Sequence, residues 1–306
     1  MKVLITGGTV FASRYTAEYF VKKDHEVYVL NRNSRSQSKG VKLINCDRHN
    51  LGGTLKNINF DLVIDVTAYK KDDISDLLEG LGKFGEYVMI SSSAVYPETN
   101  IQPFTEEQKL DENIYWRDYG TNKIKAEWLL LEKVPNAYIL RPPYLYGAMN
   151  NLYREAFVFD CAEKNLPFYV PKDGKMPLQF FDIEDMCRFI EIIIEKKPSQ
   201  HIFNVGNSHI IDINEWVRLC YKVLDKTPEI KYVNENINQR DYFPFLDYGY
   251  ILDVTKQQEL MPNVKPLEVG LKQSYDWYKN HKELVRRKKY IEYIKNNFGG
   301  IKNDII

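Results

Sequence analysis

The chain has 306 residues, 44% of them hydrophobic, a length that suits one large α/β domain or one domain with a smaller companion. Its 42 basic residues balance 42 acidic ones, which excludes a global field that would attract nucleic acid or an anionic membrane. Four cysteines lie far apart without metal-ligand spacing, which predicts reduced thiols and no metal site. No apolar run has the length of a membrane span, so we expect a cytoplasmic protein without a membrane partner.

The first half of the chain alternates strand-like runs with helix-like segments. Strands are predicted at Lys2–Ile5, His25–Leu30, Val41–Ile44, Asp61–Val66 and Tyr87–Ile90, with helices after the first strand and at Asp72–Leu81. A tight turn joins only antiparallel strands, so this alternation indicates parallel strands joined by crossover helices. The predicted fold class is α/β, a Rossmann-like doubly wound parallel sheet.

The second half of the chain continues the alternation of strands and helices, except between residues 144 and 181. Further elements are predicted as a helix at Tyr115–Lys133, a strand at Ala137–Leu140, a helix at Ile183–Lys196 and a strand at His201–Val205. Prolines and aromatic residues are scattered between Tyr144 and Phe181. We therefore predict a sheet domain of residues 1–146, to which 176–215 return, and a smaller interleaved C-terminal lobe and tail of residues 147–175 and 216–306. The tail at 282–295 is expected to be a solvated helix.

A glycine turn follows the first strand. Gly7 and Gly8 allow the backbone to approach a pyrophosphate, which the amides and positive end of the next helix would hold. The usual dinucleotide turn reads T-G-x-x-G-x-x-G, and here Val10 and Ser13 replace its second and third glycines. The alternative is a tight turn that binds nothing.

The end of the second strand bears on the choice of dinucleotide. The acid that commonly binds the ribose hydroxyls is replaced there by Asn31, which Arg32 and Arg35 follow. No carboxylate would repel a 2′-phosphate and two guanidiniums could bind it, which favours NADP over NAD. Asp47 ends the third strand and either accepts from an adenine amino group or caps a turn.

Tyr119 and Lys123 are candidates for chemistry. Their spacing of four places both on one face of a helix, where the ammonium favours the phenolate. The same spacing recurs at Tyr19/Lys23, Tyr275/Lys279 and Tyr278/Lys282. Tyr119 differs from these because the strand that precedes its helix ends in Ser91-Ser92-Ser93, and ligands of open α/β sheets bind beyond the carboxyl ends of the strands.

Together these segments resemble the extended short-chain dehydrogenase/reductases, the NAD-dependent epimerase/dehydratases, over most of the chain. The matching segments are Ile5–Thr9, Ile90–Tyr96, Tyr119–Lys123, Leu140–Gly147, Phe181–Asp185 and Phe203–Asn207. The resemblance implies that Ser92 orients a substrate hydroxyl, with Ser93 beside it, that Tyr119 is the acid/base, and that Lys123 binds the nicotinamide ribose. Residues 1–146 would then be the dinucleotide-binding domain, and the smaller lobe would bind the substrate.

The resemblance also implies the ligand contacts. The expected cofactor-binding residues are Gly7, Thr9, Val10, Phe11, Asn31, Arg32, Asp47, Arg48, Thr67, Ala68, Lys123 and Pro142. Asn151 and Arg240 are expected to contact the nucleoside diphosphate of the substrate, or else to be surface residues. A homodimer built from helices that include the Tyr119 helix is also implied.

Other segments are similar to an atypical branch that includes the chloroplast stem-loop RNA-binding proteins. They are Asn31-Arg32, Asp47-Arg48, Asp241–Phe245 and Leu252–Lys256. The expected function is an NAD(P)-dependent epimerase or reductase acting on a UDP- or dTDP-sugar. Dehydration is less favoured, because Ser93-Ala94 stand where dehydratases of this family usually carry acids. The alternatives are a non-catalytic RNA-binding or regulatory protein and a cofactor-sensing regulator, although the neutral charge makes nucleic acid binding unlikely.

Overall fold

The computed structural model describes residues 1–234 and 236–298. The strands are β1 Lys2–Thr6, β2 Glu26–Asn31, β3 Lys42–Asn45, β4 Phe60–Asp65, β5 Phe84–Ile90, β6 Tyr138–Arg141, β7 Tyr144–Tyr146, β8 Phe168–Pro171, β9 Pro177–Leu178, β10 Phe180–Asp182, β11 Ile202–Asn204, β12 Ile211–Asp212 and β13 Ile230–Val233. The α-helices are α1 Phe11–Lys22, α2 Lys71–Gly80, α3 Asp118–Lys133, α4 Glu155–Glu163, α5 Ile183–Lys196, α6 Ile213–Lys222, α7 Thr255–Leu260, α8 Leu267–Tyr278 and α9 Tyr290–Phe298.

A seven-stranded parallel sheet forms the centre of the larger unit and confirms the predicted fold class. Its order is β11-β6-β5-β4-β1-β2-β3, and every neighbouring pair is parallel. Successive side chains of a strand point to opposite sides of the sheet, and helices cover both faces. Val3 and Ile5 of β1 pack in a core with α1 and α5, whereas Leu4 packs in a second core with α2 and α3.

Helix α3 begins three residues later than the sequence pattern predicts. The side-chain oxygen of Asn113 accepts the amide protons of Tyr115 and Trp116, at 2.9 and 3.3 Å, and so forms a turn before the helix. Arg117 follows with φ of +47°, outside the helical region. Regular helix therefore starts at Asp118, one residue before Tyr119.

The chain divides into two compact units, each built from separated segments. Unit 1 comprises 1–145, 180–208 and 252–265; unit 2 comprises 146–179, 209–251 and 266–306, of which 235 and 299–306 lie outside the described residues. Residues 252–265, which the sequence analysis placed in the smaller lobe, pack within unit 1. There Lys265 Nζ contacts Asp182 at 2.9 Å, and Gln257 accepts the Gly206 amide proton at 2.6 Å.

Unit 2 has a small parallel pair, β8 with β13, and an aromatic core. Phe168 of β8 packs against Phe157, Tyr221 and Phe243, with ring centroids 5.2 to 6.5 Å apart. The predicted tail helix is a short 3-10 turn followed by α9, which buries Tyr290. Within the described residues no helix has the length and hydropathy that a membrane span requires.

Candidate functional site

The turn between β1 and α1 requires its two glycines for backbone and packing reasons. Gly7 and Gly8 have φ of +90° and +89°, a region that side chains disfavour. A Cβ on Gly7 would lie 2.8 Å from Ser13 Oγ, and one on Gly8 would lie 2.5 Å from Val29 Cγ1. The Gly7 amide donates to Leu30 O at 2.9 Å. The turn is therefore fixed against β2 and against the first turn of α1.

The start of α1 carries positive partial charge without a side-chain partner. Val10 is its N-cap residue, with an extended backbone, and no described side chain caps the helix. The first turn holds no acidic residue, and Ser13 Oγ donates to Val10 O at 3.0 Å. Thr9, Val10 and Phe11 are half-buried. Helix N-termini of this kind favour anions, so the turn retains the electrostatics of a phosphate site despite its altered glycines.

At the end of β2, Asn31 holds the neighbouring loop together. Its side-chain amide donates to Gly7 O at 2.7 Å and to Gln37 Oε1 at 3.1 Å, and its oxygen accepts the Asn33 amide proton at 2.9 Å. Arg32 is 76% exposed, with Nη1 3.9 Å from Asp47 Oδ2. Asn31 thus couples the loop to the glycine turn, while Arg32 and Asp47 remain open to solvent.

Arg48 lies in a nearly buried network at the carboxyl end of β4. Its guanidinium donates to both oxygens of Asp65, at 3.1 and 2.8 Å, and to Thr67 Oγ1 at 3.1 Å. Asp65 also accepts from the hydroxyls of Tyr87 and Thr6, both at 2.7 Å. Burial alone would raise the pKa of Asp65, but Arg48 and these hydrogen bonds outweigh it and lower that pKa. The guanidinium therefore holds the end of β4 and the residues after it.

The segment that follows β4, Val66–Lys70, is fixed through its backbone. Thr6 Oγ1 accepts its first two amide protons, at 3.0 and 3.1 Å. Asp73 Oδ2 accepts its last two, at 2.7 and 2.9 Å. The predicted cofactor contacts Thr67 and Ala68 lie on this segment, half-buried and buried respectively.

Ser92, Tyr119 and Lys123 converge at the carboxyl end of β5. The side chain of Ser92 lies near the hydroxyl of Tyr119 and lowers the pKa of that phenol, and Ser92 Oγ accepts the Ala94 amide proton at 3.2 Å. Lys123 lies one turn after Tyr119 on α3 and donates from Nζ to Ile90 O at 2.8 Å. A phenol, an alcohol and an ammonium are thus brought together at one strand end.

Burial shifts the two titrating groups of this cluster. It raises the pKa of Tyr119 to about 12, against the opposing effect of the Ser92 side chain. It lowers the pKa of Lys123 to about 8, with the negative charges of Asp65 and Glu127 opposing the shift. At pH 7 the lysine is therefore an ammonium and the phenol keeps its proton. Tyr119 as a whole residue is 39% exposed, although protein atoms surround its hydroxyl.

Close packing fixes α3 against the turn that carries Ser92. A Cβ on Gly120 would lie 2.4 Å from Ala94 O, a backbone atom, so only glycine permits this approach. Deeper in the unit, Arg141 Nη2 contacts Glu127 Oε2 at 2.6 Å in a fully buried pair. Ser91 Oγ also donates to Glu127. Glu127 therefore joins α3 to the ends of β5 and β6.

The remaining predicted residues fall in both units. In unit 1, Ser93 and Pro142 are buried, and the Ser93 amide donates to Pro142 O at 3.0 Å. In unit 2, Asn151 is buried and its carbonyl oxygen accepts the Arg286 amide proton at 2.9 Å, whereas Arg240 is exposed. Their roles toward a substrate remain predictions. Within the described part of the chain, no group of three or more His, Cys, Asp or Glu residues could hold a metal ion.

Sequence reasoning did not single out Asp65, Glu127 or Tyr69. A carboxylate that ends an apolar strand was one available signal for Asp65. Glu127 follows Lys123 by four residues and so shares its helix face. Tyr69 is 54% exposed, and its ring centroid lies 5.2 Å from Lys123 Nζ.

Comparisons with curated proteins give two kinds of relative. The chloroplast stem-loop binding protein of 41 kDa b of Arabidopsis thaliana is 27% identical over 302 residues, covering 90% of this chain and 78% of that protein. The trifunctional UDP-glucose 4,6-dehydratase/UDP-4-keto-6-deoxy-D-glucose 3,5-epimerase/UDP-4-keto-L-rhamnose-reductase RHM1 of the same plant is 24% identical over 214 residues. That match covers 66% of this chain and 30% of the trifunctional protein.

Solved structures share the fold at low identity. UDP-glucuronic acid 4-epimerase from Bacillus cereus, in complex with UDP-glucuronic acid and NAD, matches with a TM-score of 0.70 and 19% identity, covering 92% of this chain and 99% of that one. dTDP-glucose 4,6-dehydratase from Bacillus anthracis, in complex with NAD, matches with a TM-score of 0.74 and 18% identity, covering 94% and 99%. These matches show that the chain shares the fold of these two enzymes.

A family model matches the part of the chain that holds the Ser92, Tyr119 and Lys123 cluster. Residues 74–206 match the NAD dependent epimerase/dehydratase family, and the glycine turn lies outside that range. Residues 74–206 of the chain are thus similar to this family, and the chain shares the fold of the two solved enzymes.

Proposed function

We propose that the chain is an NAD(P)-dependent epimerase or reductase that acts on a nucleotide sugar of the UDP- or dTDP-sugar class. The observation that carries this proposal is the convergence of Tyr119 and Ser92 with a buried Lys123 ammonium at the carboxyl end of β5. Similar proteins support the substrate class, because the Bacillus cereus structure contains a UDP-sugar and NAD.

The mechanism follows from these three side chains. In its phenolate form Tyr119 would remove a proton from a sugar hydroxyl and so become the phenol, while Ser92 holds that oxygen by a hydrogen bond. The Lys123 ammonium, still charged at pH 7, would stabilise that phenolate against the burial that raises the pKa of Tyr119 to about 12. A bound dinucleotide would supply hydride transfer: in an epimerase it would accept the carbon-bound hydride and return it within the same turnover. In a reductase the step would run in the opposite direction, with hydride passing from the reduced dinucleotide to a carbonyl carbon and the proton coming from the Tyr119 phenol.

We also propose NADP as the preferred dinucleotide. The turn suits a pyrophosphate because α1 begins without a capping side chain or an acid. At the end of β2 the carboxylate typical of NAD sites is absent, and the exposed guanidinium of Arg32, now 3.9 Å from Asp47 Oδ2, would bind a 2′-phosphate in place of that carboxylate.

A release and turnover experiment tests the function. The purified protein is denatured, and any released nicotinamide dinucleotide is identified by mass. Tyr119→Phe is then assayed on UDP-, dTDP- and GDP-sugars, beside Tyr275→Phe as a matched control in a surface Tyr-x-x-x-Lys pair of unit 2. Loss of the acid/base should lower kcat by about 10²- to 10⁴-fold in Tyr119→Phe alone. Turnover that survives this substitution would remove Tyr119 from the proposed role.

The second candidate is a non-catalytic RNA-binding protein on the same fold. The similarity to the stem-loop binding protein over 90% of the chain favours it. The balanced charge opposes it, because binding to a phosphate backbone rewards net positive charge. Tight, salt-dependent binding to an RNA stem-loop, in protein that neither releases nor binds a dinucleotide, would select this candidate over the enzyme.

For the assembly we propose a cytoplasmic homodimer that uses α3. Trp128 lies on this helix and is 60% exposed, a large apolar surface for a monomer to leave in water. Sedimentation distinguishes the 36.1 kDa monomer from a dimer, and Trp128→Glu should shift a dimer toward the monomer.

A further inference from the structure

Tyr69 is an exposed aromatic residue next to the proposed catalytic cluster. Its ring centroid lies 5.2 Å from Lys123 Nζ, within the range of a cation–π interaction. Tyr69 and Tyr119 also interact electrostatically, which places the two phenols near each other. The ring is 54% exposed, so a ligand that contacts Lys123 can also contact Tyr69.

The backbone that carries Tyr69 is held rigidly. Its amide donates to Asp73 Oδ2 at 2.7 Å, and the other three bonded amides of segment Val66–Lys70 go to Thr6 and Asp73, as described above. Thr6 and Asp73 are themselves buried. The Cα of Tyr69 is therefore fixed relative to the strand ends.

The face of an aromatic ring can attract a lysine ammonium without occupying all of its N–H donors. Within the described residues, Lys123 Nζ donates one hydrogen bond, to Ile90 O at 2.8 Å. An ammonium has three N–H donors, so two remain for other acceptors. A carboxylate beside it would take up these donors in an ion pair, whereas the ring of Tyr69 attracts the charge through its quadrupole.

We propose that Tyr69 is a positioning residue of this site: its ring holds the Lys123 ammonium beside Tyr119 while leaving N–H donors for the ribose hydroxyls of a dinucleotide. The inference rests on the proposed function, because the ribose is the ligand of that lysine. Tyr69 acts through Lys123, and so its effect appears in dinucleotide affinity.

Two readouts on the full chain test this role. The first is the ring-current shift of the Lys123 side-chain resonances in cofactor-free, lysine-labelled protein, assigned with Lys123→Arg. The second is the Kd for NAD and NADP by titration calorimetry. The variants are Tyr69→Leu, which removes the ring, and Tyr69→Phe, which keeps it. Tyr232→Leu, at a 49% exposed tyrosine of unit 2, is the control.

Tyr69→Leu should abolish the upfield shift of Lys123 and raise the Kd about 2- to 30-fold, the range that cation–π energies give at tenfold per 1.4 kcal/mol. Tyr69→Phe and Tyr232→Leu should match the wild type in both readouts. An unchanged Kd in Tyr69→Leu, or an unchanged Lys123 resonance, overturns the positioning role. A wild-type protein that binds neither dinucleotide overturns the proposed function itself, and that result is separate because it does not depend on Tyr69.

Discussion

Replacing Glu127 by glutamine tests whether the buried pair with Arg141 holds α3 in place. Both side chains are almost inaccessible, 2% exposed for Arg141 and 1% for Glu127, and Nη2 and Oε2 are 2.6 Å apart. The substitution keeps the shape of the side chain but leaves the Arg141 charge buried without its counter-charge. Removal of one partner from such a pair costs about 3 to 5 kcal/mol of unfolding free energy.

The structure places the expected loss toward the lower end of this range. Arg141 keeps two further acceptors, the Tyr96 hydroxyl at 2.8 Å and Glu106 O at 3.3 Å. We therefore expect about 3 kcal/mol for Glu127→Gln. Since typical domains have about 5 to 15 kcal/mol in total, this is a large part of the stability. A double variant, Glu127→Leu with Arg141→Met, should lose less than the sum of its single substitutions, because it buries no unpaired charge.

Hydrogen exchange measured by mass spectrometry is the suitable assay, because it reports opening of α3, β5 and β6 apart from unit 2. Peptides from these three elements should exchange faster in Glu127→Gln by the factor that corresponds to the lost free energy, while peptides of β8 and β13 remain unchanged. The argument that this pair fixes the helix would be refuted if Glu127→Gln lowered the opening free energy of these peptides by less than about 1 kcal/mol. It would also be refuted if the stability loss of the double variant equalled the sum of the two single losses.

Three further predictions concern the site. Gly120→Ala should push α3 from Ala94 O, cost about 1 to 3 kcal/mol and weaken dinucleotide binding, measured by thermal unfolding and calorimetry. Lys123 has a pKa of about 8 in the folded chain, below its ordinary 10.5. Between these two pH values the amine therefore takes up a proton when the chain unfolds. The stability of wild type relative to Lys123→Met should therefore rise with pH above about 8, approaching about 3 kcal/mol near pH 10.5. Arg32→Ala should weaken NADP binding about tenfold and leave NAD binding unchanged.

Each of these predictions has a control or a contradicting result. Gly53→Ala adds the same methyl group where no atom lies within 4 Å, so it should leave stability and binding unaffected. For Lys123, a stability difference that stays flat between pH 7.5 and about 9.5 would contradict the lowered pKa. For Arg32, equal losses of NAD and NADP affinity would mean that its guanidinium does not bind the 2′-phosphate.

The elements that were predictable from sequence are those with local signals. Period-two and apolar patterns located the strands of the central sheet within a few residues, and the Gly7-Gly8 turn lies where the strand-to-helix change placed it. The start of α3 was predicted too early, because the side chain of Asn113 competes for the amides there. The convergence of Tyr119 with Ser92 followed from parallel topology, which brings carboxyl ends of strands to one edge.

The polar networks beneath the site were not predictable in this way. Arg48 and Asp65 are 17 residues apart, Arg48 in the connection after β3 and Asp65 at the end of β4, and no periodic pattern links the two positions. Only the tertiary arrangement shows that the Arg48 guanidinium is directed at Asp65. The same holds for Tyr69, whose nearness to Lys123 depends on how two neighbouring strands end.

The discontinuous build of unit 1 has a consequence during synthesis. A nascent chain that has emerged only as far as residue 145 already contains β1 to β6, but β11, which pairs with β6, is translated some 60 residues later. Until then β6 presents unpaired backbone groups along one edge, the kind of edge on which growing polypeptides aggregate. Ribosome-bound intermediates of this protein should therefore recruit chaperones until Asn204 has been added and β11 can close the sheet.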